Sequence, residues 1–328
     1  MQGLEERAIG CFTGLAVGDA IGKQTETLSR PAVRQWYPGG IAGFHGRPGD
    51  VIPRYAGKRY EWRIGETTDD TEQTIAVARA LLKSGEVRHE EIGRELMECR
   101  KSVHPDLLVW ALQQSGNPAR VAPDGDGCGA AMRVAPVGVM YPLFRLEELV
   151  HGAYECSIPT HGGPLAIAAA AAVAGAVSAA MEGADVLATA VEASDAAGQG
   201  GAEISRSIRQ IHADLCAMQR LTPGSIAERW FPDRPQTKVP LAICLAVITG
   251  SAEETALLAA NIGGDSDSVA SIGGAIAGAL RPETVNQEWL KVVRAVNRDD
   301  LVDLAGSLAA RRIPSTSVPY LPYSLAGA

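Results

Sequence analysis

A run of small apolar residues without a single charge, residues 165–181, constrains the fold more than any other feature of this chain. The run consists mainly of alanine and includes Gly175 and Ser178. A helix that is apolar all round has to be buried, in a protein core or in a bilayer. The run approaches the length that crosses a bilayer, but alanine partitions into lipid far more weakly than leucine or isoleucine. We therefore predict that it forms the central helix of a soluble bundle.

Helical periodicity also dominates the rest of the chain. Ile75, Ala78, Leu81 and Leu82 fall on one face of a helix predicted over residues 71–84. Period-two alternation is almost absent, and only 5% of the residues are aromatic, so strands are not expected. The sequence therefore predicts an all-α fold. Further helices are predicted over 186–197, 204–218, 241–249, 255–262, 269–280 and 289–296.

No internal repeat or linker divides the chain. We predict one helical domain over residues 1–312 and an irregular, proline-containing tail over residues 313–328. Within the domain, residues 29–65 and 117–129 are rich in glycine and proline, which predicts irregular loops. The first of these loops precedes an acidic cluster and could cover a site there.

Glycines inside the predicted helices require a reason. A glycine in a helix interior costs about 1 kcal/mol relative to alanine. Gly273, Gly274 and Gly278 nevertheless lie within one predicted helix. We predict that they allow a neighbouring helix to approach closely.

Composition excludes some classes of partner and favours a compartment. The net charge of −8 argues against binding to a nucleic-acid backbone, which requires clustered Lys and Arg. Residues 1–7 are polar and lack the pattern of a secretory signal, and the cysteines show no CxxC spacing. Reduced, mostly buried thiols in a cytoplasmic protein that spans no membrane are expected. The six cysteines are Cys11, Cys99, Cys128, Cys156, Cys216 and Cys244.

Two short acidic clusters lie almost two hundred residues apart. Residues 68–71 read Thr-Asp-Asp-Thr, and residues 263–268 read Gly-Gly-Asp-Ser-Asp-Ser. Each cluster precedes a predicted helix, so each acid pair falls at a helix N-terminus. Carboxylates with adjacent hydroxyls are the hard oxygen donors that suit Mg²⁺, Mn²⁺ or Ca²⁺ rather than zinc. We predict that folding brings both clusters around one divalent-metal site.

Helix capping is the alternative explanation for each cluster, because Asp, Ser and Thr are favoured at helix starts without any ligand. Charge repulsion weighs against capping alone. Two unit charges 4 Å apart interact by about 4 kcal/mol at an effective dielectric constant of about 20. A helix N-terminus offsets only about 0.3–1 kcal/mol of this repulsion, so a dication is the natural counter-charge.

Four stretches of the sequence resemble motifs of the ADP-ribosylglycohydrolase family. The family's N-terminal helix and its metal-proximal glutamate are similar to residues 14–22 (Gly-Leu-Ala-Val-Gly-Asp-Ala-Ile-Gly) and Glu26. Its Trp-Thr-Asp-Asp-Thr element resembles residues 67–71, with Thr in the Trp position. Its Gly-Asn-Gly loop ending in Met-Arg resembles residues 127–136, and its Gly-Gly-Asp-Thr-Asp-Thr motif resembles residues 263–268. The resemblance implies a compact single-domain orthogonal helical bundle with a metal site at helix N-termini.

The resemblance also implies a ligand set and a reaction. It implies two divalent cations, Mg²⁺ or Mn²⁺, with Glu26 nearby or coordinating. One of the carboxylates Glu26, Asp70 and Asp265 would act as the catalytic base. Glu26 as an exposed loop acid is the alternative. The metal ligands that the resemblance implies are Thr68, Asp69, Asp70, Asp265, Asp267 and Ser268.

The loop after residue 125 is a candidate substrate site. Free backbone N–H groups before a helix favour phosphate, although a simple helix-entry turn is the alternative. Cys128 stands where the family has Asn and removes an amide donor and acceptor. Asp124 and Asp126 could meet a cationic leaving group such as guanidinium, or could be solvated turn acids, and His161 could cap a helix instead. The predicted substrate-binding residues are Asp126, Gly127, Cys128, Gly129, Met132 and His161.

The implied activity is hydrolysis of the N- or O-glycosidic bond at the ribose C1″ of an ADP-ribosylated substrate, a protein side chain with arginine favoured. Two alternatives stay open. One is a glycosidase of the same fold that acts on a small ribosylated nucleoside or nucleotide, which the changes at Thr67 and Cys128 keep in view. The other is a non-enzymatic relative that binds ADP-ribose.

Overall fold

Seventeen α-helices make up nearly all regular structure in the computed structural model, which describes residues 3–52, 61–101 and 108–312. The described residues form no β-strand, and one isolated antiparallel bridge joins Val51 to Arg63. The predicted all-α fold is confirmed. The predicted tail lies outside the described residues. The helices are α1 (Leu4–Gly22), α2 (Arg30–Trp36), α3 (Asp69–Ser84), α4 (His89–Leu96), α5 (Leu108–Ser115), α6 (Gly129–Arg133), α7 (Ala135–Met140), α8 (Leu146–Ser157), α9 (Pro164–Glu182), α10 (Val186–Ala196), α11 (Gly201–Ala217), α12 (Pro223–Trp230), α13 (Pro235–Thr249), α14 (Ala252–Ile262), α15 (Ser266–Leu280), α16 (Gln287–Asn297) and α17 (Leu301–Ala309).

Helices α1 and α15 pack against each other along a seam of small residues. A Cβ atom placed on Gly14 would lie 2.3 Å from the carbonyl oxygen of Gly274, and one placed on Gly278 would lie 2.1 Å from that of Gly10. The two backbones therefore touch directly, as predicted for Gly274 and Gly278. The two helices run antiparallel along the seam, which continues to Gly22 at the end of α1. The carbonyl oxygen of Gly22 accepts a hydrogen bond from the hydroxyl of Ser266, the first residue of α15. The C-terminus of α1 thus lies beside the N-terminus of α15.

Gly273 lies on a different face of α15. A Cβ atom there would be 2.5 Å from Cγ2 of Thr255 on α14 and 3.1 Å from the carbonyl oxygen of Ala242 on α13. Consecutive glycines therefore let α15 pack closely against helices on two sides. This places α15 at the centre of the fold.

The alanine-rich helix α9 is buried, as the sequence predicts. Among the described helices it is the one long and apolar enough to cross a membrane, and 83% of its most apolar window is buried inside the protein. Its helical neighbours are α1, α6, α7, α8, α10, α11, α13 and α15.

Two regions differ from the sequence prediction. Helix α2 lies inside the stretch predicted to be irregular, and the Ser29 hydroxyl caps it by accepting a hydrogen bond from the Ala32 amide at 3.4 Å. Helix α13 begins at Pro235 rather than at residue 241, because Pro240 is accommodated inside the helix. The earlier start places Lys238 on a helix close to α15.

Candidate functional site

The N-termini of α3 and α15 open into one cleft. Helix α3 begins at Asp69, with Thr68 as its N-cap, and α15 begins at Ser266, with Asp265 as its N-cap. The cleft has a volume of about 320 Å³, at the lower end of the range for small-molecule sites. The structure therefore brings the two acidic clusters together. The cleft is lined by Glu26, Asp69, Asp70, Gln73, Leu108, Val109, Gly127, Cys128, Gly129, Met132, His161, Lys238, Asp265, Asp267 and Ser268.

A buried carboxylate on α1 holds the first cluster in place. Asp19 accepts hydrogen bonds from the Thr68 amide at 2.9 Å, from the Thr71 amide at 3.2 Å and from the Thr71 hydroxyl at 2.5 Å. These bonds satisfy amides at the start of α3 that have no partner within the helix. The motif that contains Asp19 was noted in the sequence, but its capping role was not predicted.

The side chains of the first cluster form a buried network. The Thr68 hydroxyl accepts from the Asp70 amide at 3.1 Å, and Asp70 Oδ1 accepts from the Ser271 hydroxyl of α15 at 2.6 Å. Burial, together with the nearby carboxylates of Asp19 and Asp69, raises the pKa of Asp70 well above its usual value. Burial also raises the pKa of the half-buried Asp69 to about 6, against the opposing effect of Lys23.

The second cluster is already paired with a lysine. Lys238 Nζ lies 2.6 Å from Asp265 Oδ2, and the Cys128 thiol donates to the same oxygen at 3.1 Å. Burial alone would raise the pKa of Asp265, but Lys238 and these hydrogen bonds outweigh it and leave the pKa below its usual value. The Cys128 sulfur also lies 3.6 Å from the Ser268 hydroxyl. Burial raises the pKa of Cys128, so its thiol stays protonated.

Asp267 faces the cleft with one oxygen that nothing binds. Its side chain is buried and Oδ1 has no hydrogen-bond partner among the described residues. The other oxygen, Oδ2, lies 3.9 Å from Lys23 Nζ, which also pairs with Glu26. Burial and the charge of Glu26 raise the pKa of Asp267 well above its usual value. A buried carboxylate oxygen without a donor calls for a cation or a proton.

The donor set fits a hard divalent cation on the side of the cleft where Asp267 lies. The lining offers carboxylates and the Ser268 hydroxyl, which are oxygen donors of the type that Mg²⁺ and Mn²⁺ use, whereas Thr68 is fully buried and outside the lining. No three His, Cys, Asp or Glu side chains in the described parts of the chain are already arranged around one point as metal ligands. Two lysines stand among these carboxylates, with Lys23 paired to Glu26 and Lys238 paired to Asp265.

Gly127 and Gly129 of the predicted substrate loop leave room for the ring of His161. A Cβ atom on Gly127 would lie 3.1 Å from His161 Nε2, and one on Gly129 would lie 2.5 Å from Cε1 of the same ring. Helix α6, which begins at Gly129, has only five residues. The loop therefore packs around the imidazole as well as lining the cleft with Met132. Whether it cradles an anion stays a prediction.

A fully buried arginine orients this histidine. Arg133 Nη2 donates to the Thr160 hydroxyl at 2.8 Å, and that hydroxyl lies 2.7 Å from His161 Nδ1. Arg133 Nη1 also donates to Gln73 on α3 at 2.8 Å. Burial and the positive charge of Arg133 lower the pKa of His161 to about 3, so the imidazole is neutral. If the Thr160 hydroxyl, which accepts from Arg133, donates to Nδ1, the His161 proton is on Nε2.

Asp126 does not line the cleft. Its carboxylate accepts hydrogen bonds from the Leu165 amide at 2.9 Å and the Ala166 amide at 3.2 Å, at the start of α9. The carboxylate is therefore engaged in capping the alanine-rich helix. This placement differs from the substrate-binding role predicted for Asp126. Asp124 is exposed, and its carbonyl oxygen accepts from the Gly162 amide.

Comparison with known proteins places the chain in a family. The family model for ADP-ribosylglycohydrolases matches residues 1–317. The chain belongs to the ADP-ribosylglycohydrolase family. It is 31% identical to an uncharacterised protein from Archaeoglobus fulgidus, over 93% of this chain and 96% of that protein. It is 26% identical to the ADP-ribosyl-[dinitrogen reductase] glycohydrolase of Rhodospirillum rubrum, over 92% of this chain and 98% of that enzyme.

Two further similarities agree with this assignment. The chain is 25% identical to the ADP-ribosylarginine hydrolase Tri1 of Pseudomonas putida, over 88% of this chain and 74% of that enzyme. A solved structure described as an ADP-ribosylglycohydrolase-related protein complex matches the fold with a TM-score of 0.70 and 24% identity. The match covers 95% of this chain and all of that one. The fold predicted for an ADP-ribosylglycohydrolase is therefore confirmed.

Two of the departures from the motifs of the ADP-ribosylglycohydrolase family, Thr67 and Cys128, fall in different places. Thr67, in the Trp position, is buried away from the cleft lining, where its amide and hydroxyl donate to the Asn297 side chain and its carbonyl accepts from Lys101. Cys128, in the Asn position, lines the cleft and contacts Asp265. Ser268, in the second Thr position of the Gly-Gly-Asp-Thr-Asp-Thr motif, also lines the cleft and keeps a hydroxyl, so Cys128 is the departure that replaces an amide in the cleft lining.

Proposed function

We propose that this ADP-ribosylglycohydrolase family member is a metal-dependent hydrolase. It cleaves the N- or O-glycosidic bond at the ribose C1″ of an ADP-ribosylated substrate and releases ADP-ribose. The convergence of the two acidic clusters on one cleft is the observation that carries the proposal. The orphaned Oδ1 of buried Asp267 adds to it, because that oxygen lacks the counter-charge that a bound cation would provide.

The cation would be held by the side of the cleft formed by α3 and Asp267. Asp69 and Asp70 supply two carboxylates to the cleft lining, Asp267 supplies the unsatisfied oxygen, and Thr68 would supply its buried hydroxyl. Asp265 and Ser268 complete the ligand set expected from the family motifs. A Mg²⁺ or Mn²⁺ ion in this position would bind sugar hydroxyls and acidify a water molecule. The raised pKa values of Asp70 and Asp267 support a cation here, because their ionised forms lack full compensation.

Glu26 is the best placed of the three candidate bases. Asp265 is engaged by Lys238 and Cys128, and its lowered pKa makes it a weak proton acceptor. Asp70 is almost completely buried and accepts from Ser271. Glu26 lines the cleft, is partly exposed, and its ion pair with Lys23 orients it. It would accept the proton of the attacking water as the glycosidic bond breaks through an oxocarbenium-like state.

His161 would act as a fixed donor rather than as an acid or base. Its Nε2 faces Gly127 and Gly129, and its neutral state follows from burial beside Arg133. A neutral imidazole with Nδ1 engaged by Thr160 offers one N–H to an oxygen of the substrate. The imidazole would therefore orient the sugar or phosphate without changing charge during turnover.

ADP-ribosylated arginine is the substrate we favour, with the arginine guanidino group as the leaving group, because two of the relatives are enzymes named for ADP-ribosyl hydrolysis and one of them for arginine. A second candidate is a small ribosylated nucleoside or nucleotide. Cys128 favours it, since a thiol bound to Asp265 stands where the family motif has an amide that could hydrogen-bond the ligand. Binding of ADP-ribose without turnover is the non-enzymatic alternative.

The test is a comparison of substrates and metals with matched variants. Purified protein is stripped of metal, then assayed with Mn²⁺ or Mg²⁺ against an ADP-ribosylated arginine protein and against ribosylated nucleosides. We expect release of ADP-ribose that requires the metal. Asp69→Ala and Asp267→Ala should each lower the rate of ADP-ribose release by more than about a hundredfold. Substitution of residues that only hydrogen-bond to metal ligands already lowers activity or metal affinity by about 10–100-fold. Asp303→Ala, an exposed carboxylate on α17, is the control and should keep full activity.

Each outcome separates the candidates. Turnover of the nucleosides alone would favour the second candidate. Binding of ADP-ribose without turnover of any substrate would favour a non-enzymatic relative. Activity that persists in a chelator, or in Asp267→Ala, would refute the proposed role of the metal.

A further inference from the structure

Lys238 lines the cleft in contact with Asp265, the N-cap of α15. Its Nζ lies 2.6 Å from Asp265 Oδ2, and both side chains are largely shielded from solvent, with 20% and 18% exposure. The Cys128 thiol donates to the same carboxylate oxygen at 3.1 Å. One oxygen of Asp265 therefore already has two donors, one of them a full positive charge.

One oxygen of the nearby Asp267 lacks such a partner. Asp267 Oδ1 is buried and accepts no hydrogen bond within the described residues. Lys23 approaches only the other oxygen, Oδ2, at 3.9 Å, and its closer partner is Glu26. The two neighbouring carboxylates thus differ: the Lys238 ammonium is paired with Asp265, whereas Asp267 keeps an unsatisfied oxygen.

The formal charges in the cleft favour one bound dication over two. Five carboxylates line the cleft, and the two lysines bring two positive charges to them, which leaves three negative charges. One dication reduces this to a single negative charge, whereas two dications would make the cluster positive. A second dication at Asp265 would also meet the Lys238 ammonium at close range and be repelled by it. The five carboxylates are those of Glu26, Asp69, Asp70, Asp265 and Asp267.

We propose that Lys238 takes the place of one of the two divalent cations expected for this cleft, so that the protein binds a single Mg²⁺ or Mn²⁺ ion. The ion binds at Thr68, Asp69, Asp70 and Asp267, and the Lys238 ammonium holds Asp265. This inference rests on the proposed metal-dependent function and changes the number of cations from two to one. It makes Lys238 a resident counter-charge of the site.

The test counts bound manganese rather than activity. Metal-free wild-type protein is titrated with Mn²⁺, the number of ions per chain at saturation is measured by native mass spectrometry, and the bound ions are examined by electron paramagnetic resonance. We expect one ion per chain and the spectrum of an isolated Mn²⁺. Lys238→Met removes the charge at similar length and should admit a second ion, with spin coupling between the two. Lys238→Arg keeps the charge and should bind one.

An exposed lysine provides the control for the loss of charge at Lys238. Lys291→Met removes an exposed ammonium that pairs with Glu288 on the surface and should leave the count at one. Two coupled ions in the wild-type protein would overturn this inference and leave the proposed hydrolase intact. No bound manganese in the wild type would overturn the proposed metal site and this inference with it. A count of one in folded Lys238→Met would show that Lys238 does not exclude the second ion. The wild-type count decides the central point even if that variant fails to fold.

Discussion

The Asp19 carboxylate on α1 holds the first turn of α3 through Thr71, accepting from its hydroxyl at 2.5 Å and its amide at 3.2 Å. The same helix α1 packs backbone to backbone on α15 through the glycine seam. One helix therefore positions both N-termini that carry the acidic clusters. This explains how residues almost two hundred positions apart reach one cleft.

Replacing Asp19 should disturb both the fold and the cluster. Asp19→Ala leaves the Thr68 and Thr71 amides buried without an acceptor, and each unsatisfied group costs about 1–3 kcal/mol. We expect the free energy of unfolding to fall by about 2–5 kcal/mol, measured by urea denaturation. Because the start of α3 shifts, Mn²⁺ affinity should fall by about 10–100-fold. Wild-type affinity in this variant would show that Asp19 does not position the cluster.

The glycine seam should not tolerate a methyl group. In Gly14→Ala the new Cβ would lie 2.3 Å from the Gly274 carbonyl oxygen, so the helices must separate. Over-packing of this kind costs about 1–3 kcal/mol and sometimes more. Gly224→Ala on α12 is the control, since the nearest atom to its Cβ is a hydroxyl oxygen at 3.8 Å. Equal melting temperatures for the two variants would contradict the direct backbone contact.

His161 should stay neutral throughout the range in which the protein works. Burial and Arg133 lower its folded pKa to about 3, whereas an unfolded histidine titrates near about 6.5. The unfolded chain therefore binds the extra proton first, and the contribution of His161 to stability is lost as the pH falls from about 6.5 toward 3. In ¹³C-labelled protein, the Cε1 resonance of His161 is identified as the one that is missing from the spectrum of His161→Gln. Its chemical shift should not change between pH 8 and 5. A midpoint near 6.5 would exclude the buried neutral form.

Asp69 should make the metal-free protein less stable as the pH rises. Burial raises its folded pKa to about 6, and an unfolded aspartate titrates near about 3.9. The folded state holds the proton more tightly, so stability declines as the pH rises from about 4 to 6. Relative to Asp69→Asn, the wild type should lose about 2–3 kcal/mol across this interval without metal, because one pKa unit corresponds to about 1.4 kcal/mol.

Saturating Mn²⁺ should remove this decline, because the cation stabilises the ionised carboxylate. Glu147→Gln, at an exposed position in α8, serves as the control and should follow the wild-type curve. A metal-free wild type and Asp69→Asn with parallel pH profiles would show that Asp69 is not held at a raised pKa.

Local signals in the sequence placed both acidic clusters at helix N-termini, although α3 and α15 begin two and three residues before the predicted starts at 71 and 269. Thr68 and Asp265 are N-caps as their residue types suggest, and the glycines of α15 were correctly taken as close-packing positions. Lys238 escaped prediction because Pro240 argued against a helix before residue 241. In the structure the helix begins five residues earlier than that proline, and its first turns carry the lysine to Asp265.

Long-range hydrogen bonds account for the rest of what the sequence did not reveal. Arg133 joins Gln73 of α3 to Thr160, and no periodicity encodes which buried acceptors an arginine will find. Asp126 looked like a cleft residue from its place beside the glycine loop, but the fold turns its carboxylate to the amides at the start of α9. Such pairings depend on tertiary packing.

The most direct test of the account is the position of the cation. Crystals grown with Mn²⁺ should give an anomalous difference peak in the cleft, bound to Asp267 Oδ1 and to the carboxylate of Asp70. A cleft without a peak at saturating Mn²⁺, in protein that hydrolyses ADP-ribosylated substrate, would contradict the claim that the two acidic clusters form one metal site.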